Sequence, residues 1–475
     1  MAPFRAPRLD IQQADCGLTR KVGQGKEGRL LQDMKNDSCL FAAKPIERIR
    51  VGVVGLGCRG GMAMERLPII PGVEVTALCE IRPHLVAAQQ EKLRKNGLRL
   101  TREFVGPEAY REMCEWDGID VVYICAPWAL HVPIAVCAME NGKHAFVEVP
   151  AAFTVEDCWR LVETAERTGM HCMQLENCCY GEIELLSLSL ARKGLLGKIV
   201  HGEGAYLHDL RSYNYNSPEE DASWHYRDYW RLKWNAEHKG NQYCTHGLGP
   251  LCQYMGVNRG DRLDYLVSLE SAQMGFEEYA KAKYPPDDWR ARERIAMGDV
   301  NTTLVRTVGG RSIMIQHDVA NPRPYDRINK VVGTRGILAD YPFRVGWEDE
   351  PGKGVHRYFD DDRAASVREE HMHPLWRQAG KLAQEVGGHD GMDLIMDLRW
   401  AFCLQNGLPL DQDVYDLAAW CSLGELTERS VRAGSAPQKV PDFTRGGWER
   451  RAPIGIESID PGRMDLAGIR PMDAK

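Results

Sequence analysis

IRVGVVGLGCRGGMAMERLPIIPGVEVTALCE, residues 49–80, decides the fold. IRVGVV is a short β-branched run that ends in glycines, the pattern of a buried strand. GGMAMERLPII reads as a helix and VEVTALCE as a second strand. Gly55, Gly57 and Gly60 spell G-x-G-x-x-G across the first junction. Alone that spacing is a weak signal, but between a strand and a helix it has a mechanism. The first glycine permits a tight turn, the second lets backbone amides approach a pyrophosphate, and the third lets helix and strand pack closely. The helix N-terminus turns its positive dipole end to the phosphates. Cys58 and Arg59 lie inside this turn and count among the expected contacts. Glu80 ends the second strand, 25 residues after Gly55, where a carboxylate accepts ribose hydroxyls and repels a 2′-phosphate. The expected cofactor is therefore NAD. Arg82 weighs the other way, because an arginine there stacks on adenine or binds a phosphate.

Outward from this unit, the alternation continues. A helix is expected at 83–96, a strand at DVVYICAP, a helix at HVPIAVCAMENG stopped by Asn141-Gly142, a strand at HAFVEVP, and a helix capped by Thr154 with Asp157 in its first turn. Strands alternating with helices indicate a doubly wound parallel sheet, here a Rossmann domain over 48–170. Pro127 and Trp128 follow the fourth strand, His131 opens the next helix, and Glu148 follows the fifth strand. All belong to the crevice beyond the strands' carboxyl ends and are expected at the cofactor.

After Gly169 the pattern changes. Strand-like alternation begins at KIVHGEGAYLHDL, a hairpin is expected through Gly309-Gly310, and KVVGTRGILAD reads as another strand pair. Residues 171–390 are expected to form an α+β domain with a large open, mostly antiparallel sheet and few helices. Helices return at 374–386, 390–405 and 411–432, and residues 391–475 are expected to pack back on the domains. Residues 1–47 are polar, lack periodicity, and read as an N-terminal extension.

Composition excludes several classes. A net charge of -7 gives no reason to expect a nucleic-acid partner. No run approaches the ~20 apolar residues of a membrane helix, and the N-terminus lacks an apolar signal core. A cytoplasmic protein is expected. The 15 cysteines fall largely in apolar strand and helix patterns and have no zinc spacing, so reduced thiols are expected and no metal. Asp360-Asp361-Asp362 reads as a solvated loop.

Longer strings carry a family resemblance. They are EVPAA (148–152), LENCCYGEIELL (175–186), GNQYCTHGLGP (240–250), NPRPYDRINKVVGTRG (321–336), GHDGMD (388–393), NGLPLDQDVYDLAAW (406–420) and VPDFTRGGW (440–448). The chain resembles the glucose-fructose oxidoreductase and inositol dehydrogenase superfamily. Members usually carry Glu-Lys-Pro after the fifth strand, the lysine assisting hydride transfer. Here the residues are Glu148-Val149-Pro150. With that departure, the strings resemble one branch, the NAD-dependent glycoside hydrolases of family 109. The resemblance implies removal of terminal, α-linked N-acetylgalactosamine, with NAD held tightly and recycled. The implied route is oxidation at carbon 3, elimination across carbons 1 and 2, water addition and reduction. It differs from the two-carboxylate route of most glycosidases. The runner-up is an ordinary NAD-dependent sugar dehydrogenase of the same superfamily.

His246 is the first choice of general base or acid, since imidazole titrates near neutrality; the alternative is a histidine capping a loop. Its neighbours Gly247 and Gly249 suggest a loop held close to a ligand. Tyr243, three residues earlier, and Tyr180 are further candidates for proton transfer, or else core tyrosines. Which of the three is the carbon-2 base stays open. Glu148 orients the nicotinamide or a sugar hydroxyl. The resemblance makes Arg231 and Tyr325 sugar contacts, joined by Glu148 and Tyr243. Asn177 and Glu176 are expected to touch the cofactor. His389 and Asp393 open a helix, with Asp393 supporting its first turn. The expected partner is a small or glycan-terminal sugar, and a homo-oligomer is implied by the superfamily's open sheet.

Overall fold

The computed structural model describes residues 42–217, 226–453 and 455–472. Most of the expected N-terminal extension, residues 1–41, lies outside them. Its end is tied to the body by the Ile46 amide, which donates to the Leu404 carbonyl at 3.0 Å.

The first unit runs β1 (Ile49–Val54), α1 (Cys58–Arg66), β2 (Val73–Glu80), α2 (Pro83–Lys95), β3 (Arg102–Val105), α3 (Ala109–Glu115), β4 (Val121–Ile124), α4 (His131–Glu140), β5 (His144–Val147), α5 (Val155–Thr168) and β6 (Cys172–Gln174). The strands form one parallel sheet in the order β3-β2-β1-β4-β5-β6. The order reverses between β1 and β4, and ligands of such sheets bind beyond the strand ends at that point. Local signals held. Thr154 Oγ1 accepts the Asp157 amide at 3.0 Å, and Gly142 takes a left-handed φ of 71° after α4. The sixth strand falls past residue 170, so the parallel sheet runs a few residues beyond the expected boundary.

The second unit contains α6 (Glu182–Arg192), β7 (Ile199–Leu207), α7 (Arg211–Tyr215), α8 (Trp230–Glu237), α9 (Thr245–Met255), β8 (Leu263–Glu270), α10 (Gly275–Lys283), α11 (Trp289–Arg292), β9 (Val300–Thr307), β10 (Ser312–Asp318), β11 (Lys330–Gly333), β12 (Gly336–Ala339) and β13 (Arg344–Trp347). Then come α12 (Asp361–His371), α13 (Pro374–Val386), α14 (Met392–Asn406), α15 (Val414–Arg432) and β14 (Gln438–Lys439). Eight strands form one sheet, antiparallel except where β7 meets β10. The hairpin through Gly309-Gly310 and the β11–β12 pair are present.

Two expectations need correction. Residues 171–390 hold many helices rather than few. In α9 every residue is buried, so it has no polar face and shows no amphipathic period. The acidic run 360–362 is no solvated loop. Asp360 caps α12 by accepting the Arg363 amide at 3.0 Å, and Asp361 and Asp362 occupy the first turn, where the helix dipole favours negative charge.

The C-terminal helices pack on the first unit. Tyr415 Oη donates to Glu166 at 2.9 Å and Glu425 accepts the Val155 amide at 2.7 Å. Among the described residues, no helix is long and apolar enough to cross a membrane.

Candidate functional site

A cleft of about 700 Å³ opens at the carboxyl ends of β1, β2, β4 and β5 and extends over α8, the start of α9 and the end of β7. Gly55, Gly57, Cys58, Arg59, Glu80 and Arg82 line its cofactor end. Pro127, Trp128, His131, Glu148 and Asn177 line the middle. Arg231, Tyr243 and His246 line the far side.

Each glycine has its own reason. Gly55 has φ +84°, and a Cβ there would lie 2.7 Å from the Cys125 carbonyl oxygen. Gly60 is tighter still, with a hypothetical Cβ 1.9 Å from the Gly55 carbonyl oxygen. At Gly57 a Cβ would meet nothing within 4 Å, because the position faces open space in the cleft. No side chain caps α1, so its first amides are left for an anion. Glu80 stands beside them, accepting the Leu56 amide at 2.8 Å and the Ile81 and Arg82 amides at 2.9 and 3.0 Å. Arg82 is held by Asp228 at 2.6 Å, which counters a 2′-phosphate there. These residues fit a dinucleotide. Gly60→Ala is expected to force the turn apart. The expected loss is about 2–3 kcal/mol with co-purifying dinucleotide absent, checked by thermal unfolding and by extracting the bound nucleotide.

Val149, where superfamily members usually have lysine, is buried in an aromatic cluster with Trp128, Tyr206 and Tyr243. The Trp128 ring stacks on Tyr243 at 5.9 Å. His131 bridges two strand-end loops, its ring nitrogens 2.8 Å from the Pro150 carbonyl and 2.7 Å from that of Ala126. Burial pulls its pKa below the ordinary histidine value, against those two hydrogen bonds.

His246 sits in the first turn of α9, a helix and not the expected loop. Its glycine neighbours serve packing rather than a ligand. A Cβ on Gly247 would come within 2.3 Å of the Ala205 amide nitrogen on β7, and one on Gly249 within 3.0 Å of Glu176 Cγ. The bare glycine face lets α9 lie directly on the sheet, and this fixes where His246 stands. Its Nδ1 is 2.6 Å from Glu176 Oε1. Glu176 is 0 % exposed and also accepts the Cys178 amide at 3.2 Å. Burial alone would raise that carboxyl; the facing imidazole outweighs it and holds the carboxyl below its ordinary value. With Nδ1 committed to the carboxylate, Nε2 is the ring atom left for chemistry. Cys178 completes a group of three possible metal ligands with Glu176 and His246, but the short Nδ1–Oε1 contact is already a hydrogen bond.

Tyr243 packs its ring against His246 at 4.9 Å and Tyr206 at 4.5 Å. Burial pushes its phenol well above the ordinary value. The Arg231 guanidinium lies over the rings of Trp128, Tyr243 and Tyr226 at 4.8, 4.9 and 5.0 Å. Its Nη1 donates to Tyr226 Oη at 2.5 Å, and among the described residues no carboxylate pairs with it.

Four expected residues stand outside the cleft lining, and one is Glu176, expected at the cofactor but buried behind His246. Gly60 supports the turn from behind. Tyr180 is 0 % exposed and donates to Asp411 at 3.2 Å, so the structure gives it a buried structural partner in place of a substrate. Tyr325 is 37 % exposed and flanks the cleft through His208, its ring 5.1 Å from that imidazole. Sequence reasoning missed His208, whose ring nitrogen meets Tyr206 Oη at 3.0 Å. Burial pushes its pKa down to about 4. It also undervalued Asp393, which is buried and bonded to Arg59 at 3.1 Å.

Comparison with known proteins agrees with this architecture. Residues 49–175 match the oxidoreductase family with an NAD-binding Rossmann fold, and residues 180–450 match the glycosyl hydrolase 109 C-terminal domain. An alpha-N-acetylgalactosaminidase of Bacteroides fragilis is 46% identical over 86% of this chain and 95% of its own length. A glycosyl hydrolase family 109 protein of Solibacter usitatus is 45% identical over 86% and 92%. Among solved structures, levoglucosan dehydrogenase in complex with NADH and L-sorbose superposes with a TM-score of 0.60 at 18% identity, over 84% of this chain and 100% of that one. This last likeness speaks for the fold alone.

Proposed function

The chain belongs to glycosyl hydrolase family 109 and is a glycosidase with an NAD-binding Rossmann domain. From that premise, we propose that it hydrolyses terminal α-N-acetylgalactosaminides with NAD retained and recycled. The observation that carries the reading is the Glu176–His246 pair at 2.6 Å in a cleft continuous with the glycine turn. Bound there, the nicotinamide supplies reversible hydride exchange at carbon 3 of the sugar.

The protein residues then divide the proton work. A ketone at carbon 3 acidifies the hydrogen on carbon 2. His246, oriented by Glu176, takes that proton through Nε2 while the glycosidic oxygen leaves carbon 1. The Tyr243 phenol, kept protonated by burial, donates a hydrogen bond to a sugar oxygen. The stacked Arg231 supplies a planar donor inside an aromatic wall, the combination that sugars require. Glu148, held by Arg59 at 2.7 Å, orients the sugar hydroxyl or the nicotinamide. Water adds at carbon 1 with the reverse proton transfers.

The test uses a nitrophenyl N-acetyl-α-galactosaminide in deuterated water with no NAD added. Nitrophenol release with deuterium at carbon 2 is expected. Accumulating NADH without bond cleavage would instead indicate a sugar dehydrogenase.

The described cysteines are free thiols, which supports a reducing, cytoplasmic setting. The second sheet exposes Val200, Leu269, Leu304 and Val308, and a second copy of the chain is the proposed cover for that face. Leu304→Glu is expected to shift sedimentation from dimer to monomer while leaving the glycine turn intact. A parent protein that sediments as a monomer would sink the idea.

A further inference from the structure

Asp393 is 0 % exposed, yet four nitrogen-bearing side chains converge on it. Arg59 Nη1 reaches Oδ2 at 3.1 Å, Arg66 Nη1 lies at 3.4 Å, Asn177 Nδ2 donates to Oδ1 at 2.5 Å, and His389 Nδ1 is 3.0 Å from Oδ2. Arg59, Asn177 and His389 all line the cleft; Asp393 lies behind them. Arg59 also reaches forward, with Nε and Nη2 on Glu148 Oε1 at 2.9 and 2.7 Å. One guanidinium thus ties the glycine turn, the loop after β5 and the segment before α14.

That last segment is unusual. Gly388, His389, Asp390 and Gly391 all have positive φ, at 84°, 45°, 56° and 95°. For the two non-glycine residues this conformation is disfavoured and persists only where the surroundings over-determine it. The His389–Asp393 contact does so, and it keeps Gly388 and His389 on the cleft wall. A buried ion cluster is weak evidence for stability, since apolar residues of the same volume often do as well. The cluster has a different use if its members must keep the cleft walls together.

We propose that Asp393, acting through Arg59 and His389, is a positioning residue that clasps the cofactor end of the cleft and retains the dinucleotide between turnovers. The inference rests on the reading that the cofactor is recycled in place, and it assigns the retention to a segment far from the glycine motif. Asp393 itself touches neither sugar nor cofactor.

The test measures the dinucleotide directly. Full-length parent and Asp393→Asn proteins are purified, bound NAD is extracted and counted, and its release is timed into a trap that consumes free NAD. Loss of a charged hydrogen-bond acceptor predicts release about 10–100-fold faster, substoichiometric NAD after purification, and activity restored by added NAD. Unchanged or slower release overturns the proposal, as does lost activity that saturating NAD leaves unrestored. Should Asp393→Asn fail to fold, His389→Ala decides. Its side chain is partly exposed, so the fold is expected to survive, and the same acceleration at smaller size is expected; unchanged release overturns the clasp. No glycoside enters the counting of bound NAD or its timed release, so failure of the glycosidase reading is seen separately in the nitrophenyl assay.

Discussion

His246→Gln is expected to lower the rate of glycoside cleavage about 10³-fold or more while bound NAD stays in place. Glutamine is the informative replacement. Its amide still donates to Glu176, so a carboxylate with 0 % exposure keeps a partner, whereas alanine would leave that charge buried and unpaired. Glutamine has no basic nitrogen, so it accepts no proton from carbon 2. Oxidation at carbon 3 makes no demand on the carbon-2 base. The variant should therefore stall after that step, with reduced-nicotinamide absorbance rising to about one equivalent and no aglycone released. In deuterated water, recovered sugar should carry no deuterium at carbon 2. Persistent exchange at carbon 2 would move the base elsewhere, with Tyr243 the nearest phenol.

How much of this was legible before the structure depends on the range of the interaction. The glycine turn, Glu80, the Thr154 cap and the hairpin at Gly309-Gly310 rest on neighbours within a few residues, where spacing is informative. His246 could be singled out by residue type and family string, but its surroundings were misread. Two glycines following a histidine suggest a loop; here Gly247 permits the close approach of a buried helix to β7, and Gly249 its packing on Glu176. The partners that give the site its chemistry lie far along the chain. Glu176 is 70 residues from His246 and Asp393 is 334 from Arg59. No periodicity joins such pairs, because the fold alone brings them together. Tyr180 fails for a related reason. Its string resembles a site, but its hydroxyl is used by Asp411 across 231 residues.

Glu176→Gln should be the second large effect, lowering kcat about 10²–10⁴-fold with KM little changed. The carboxylate reaches the substrate only through His246. It fixes Nδ1 as the protonated nitrogen and leaves Nε2 basic, and it stabilises the imidazolium that forms when the proton arrives. A glutamine amide oxygen keeps the hydrogen bond but supplies no charge, and its NH₂ group can face the ring and select the other tautomer. A structural role alone would lower stability and leave the kcat of folded enzyme unmoved, which separates the two. The pH dependence of stability adds a second readout. The Glu176 carboxyl is held below its ordinary value in the fold. Its stabilising contribution is therefore complete above the unfolded value of about 4.3 and is lost as pH falls through the folded one. The stability advantage of parent over Glu176→Gln should be constant on the Glu176 account above about pH 5 and should shrink below about pH 4. Denaturant unfolding at stepped pH measures it. An advantage that grew as pH fell from about 5 to about 4 would show that the Glu176 carboxyl is held above its ordinary value, against the charge on which the carbon-2 proton transfer depends.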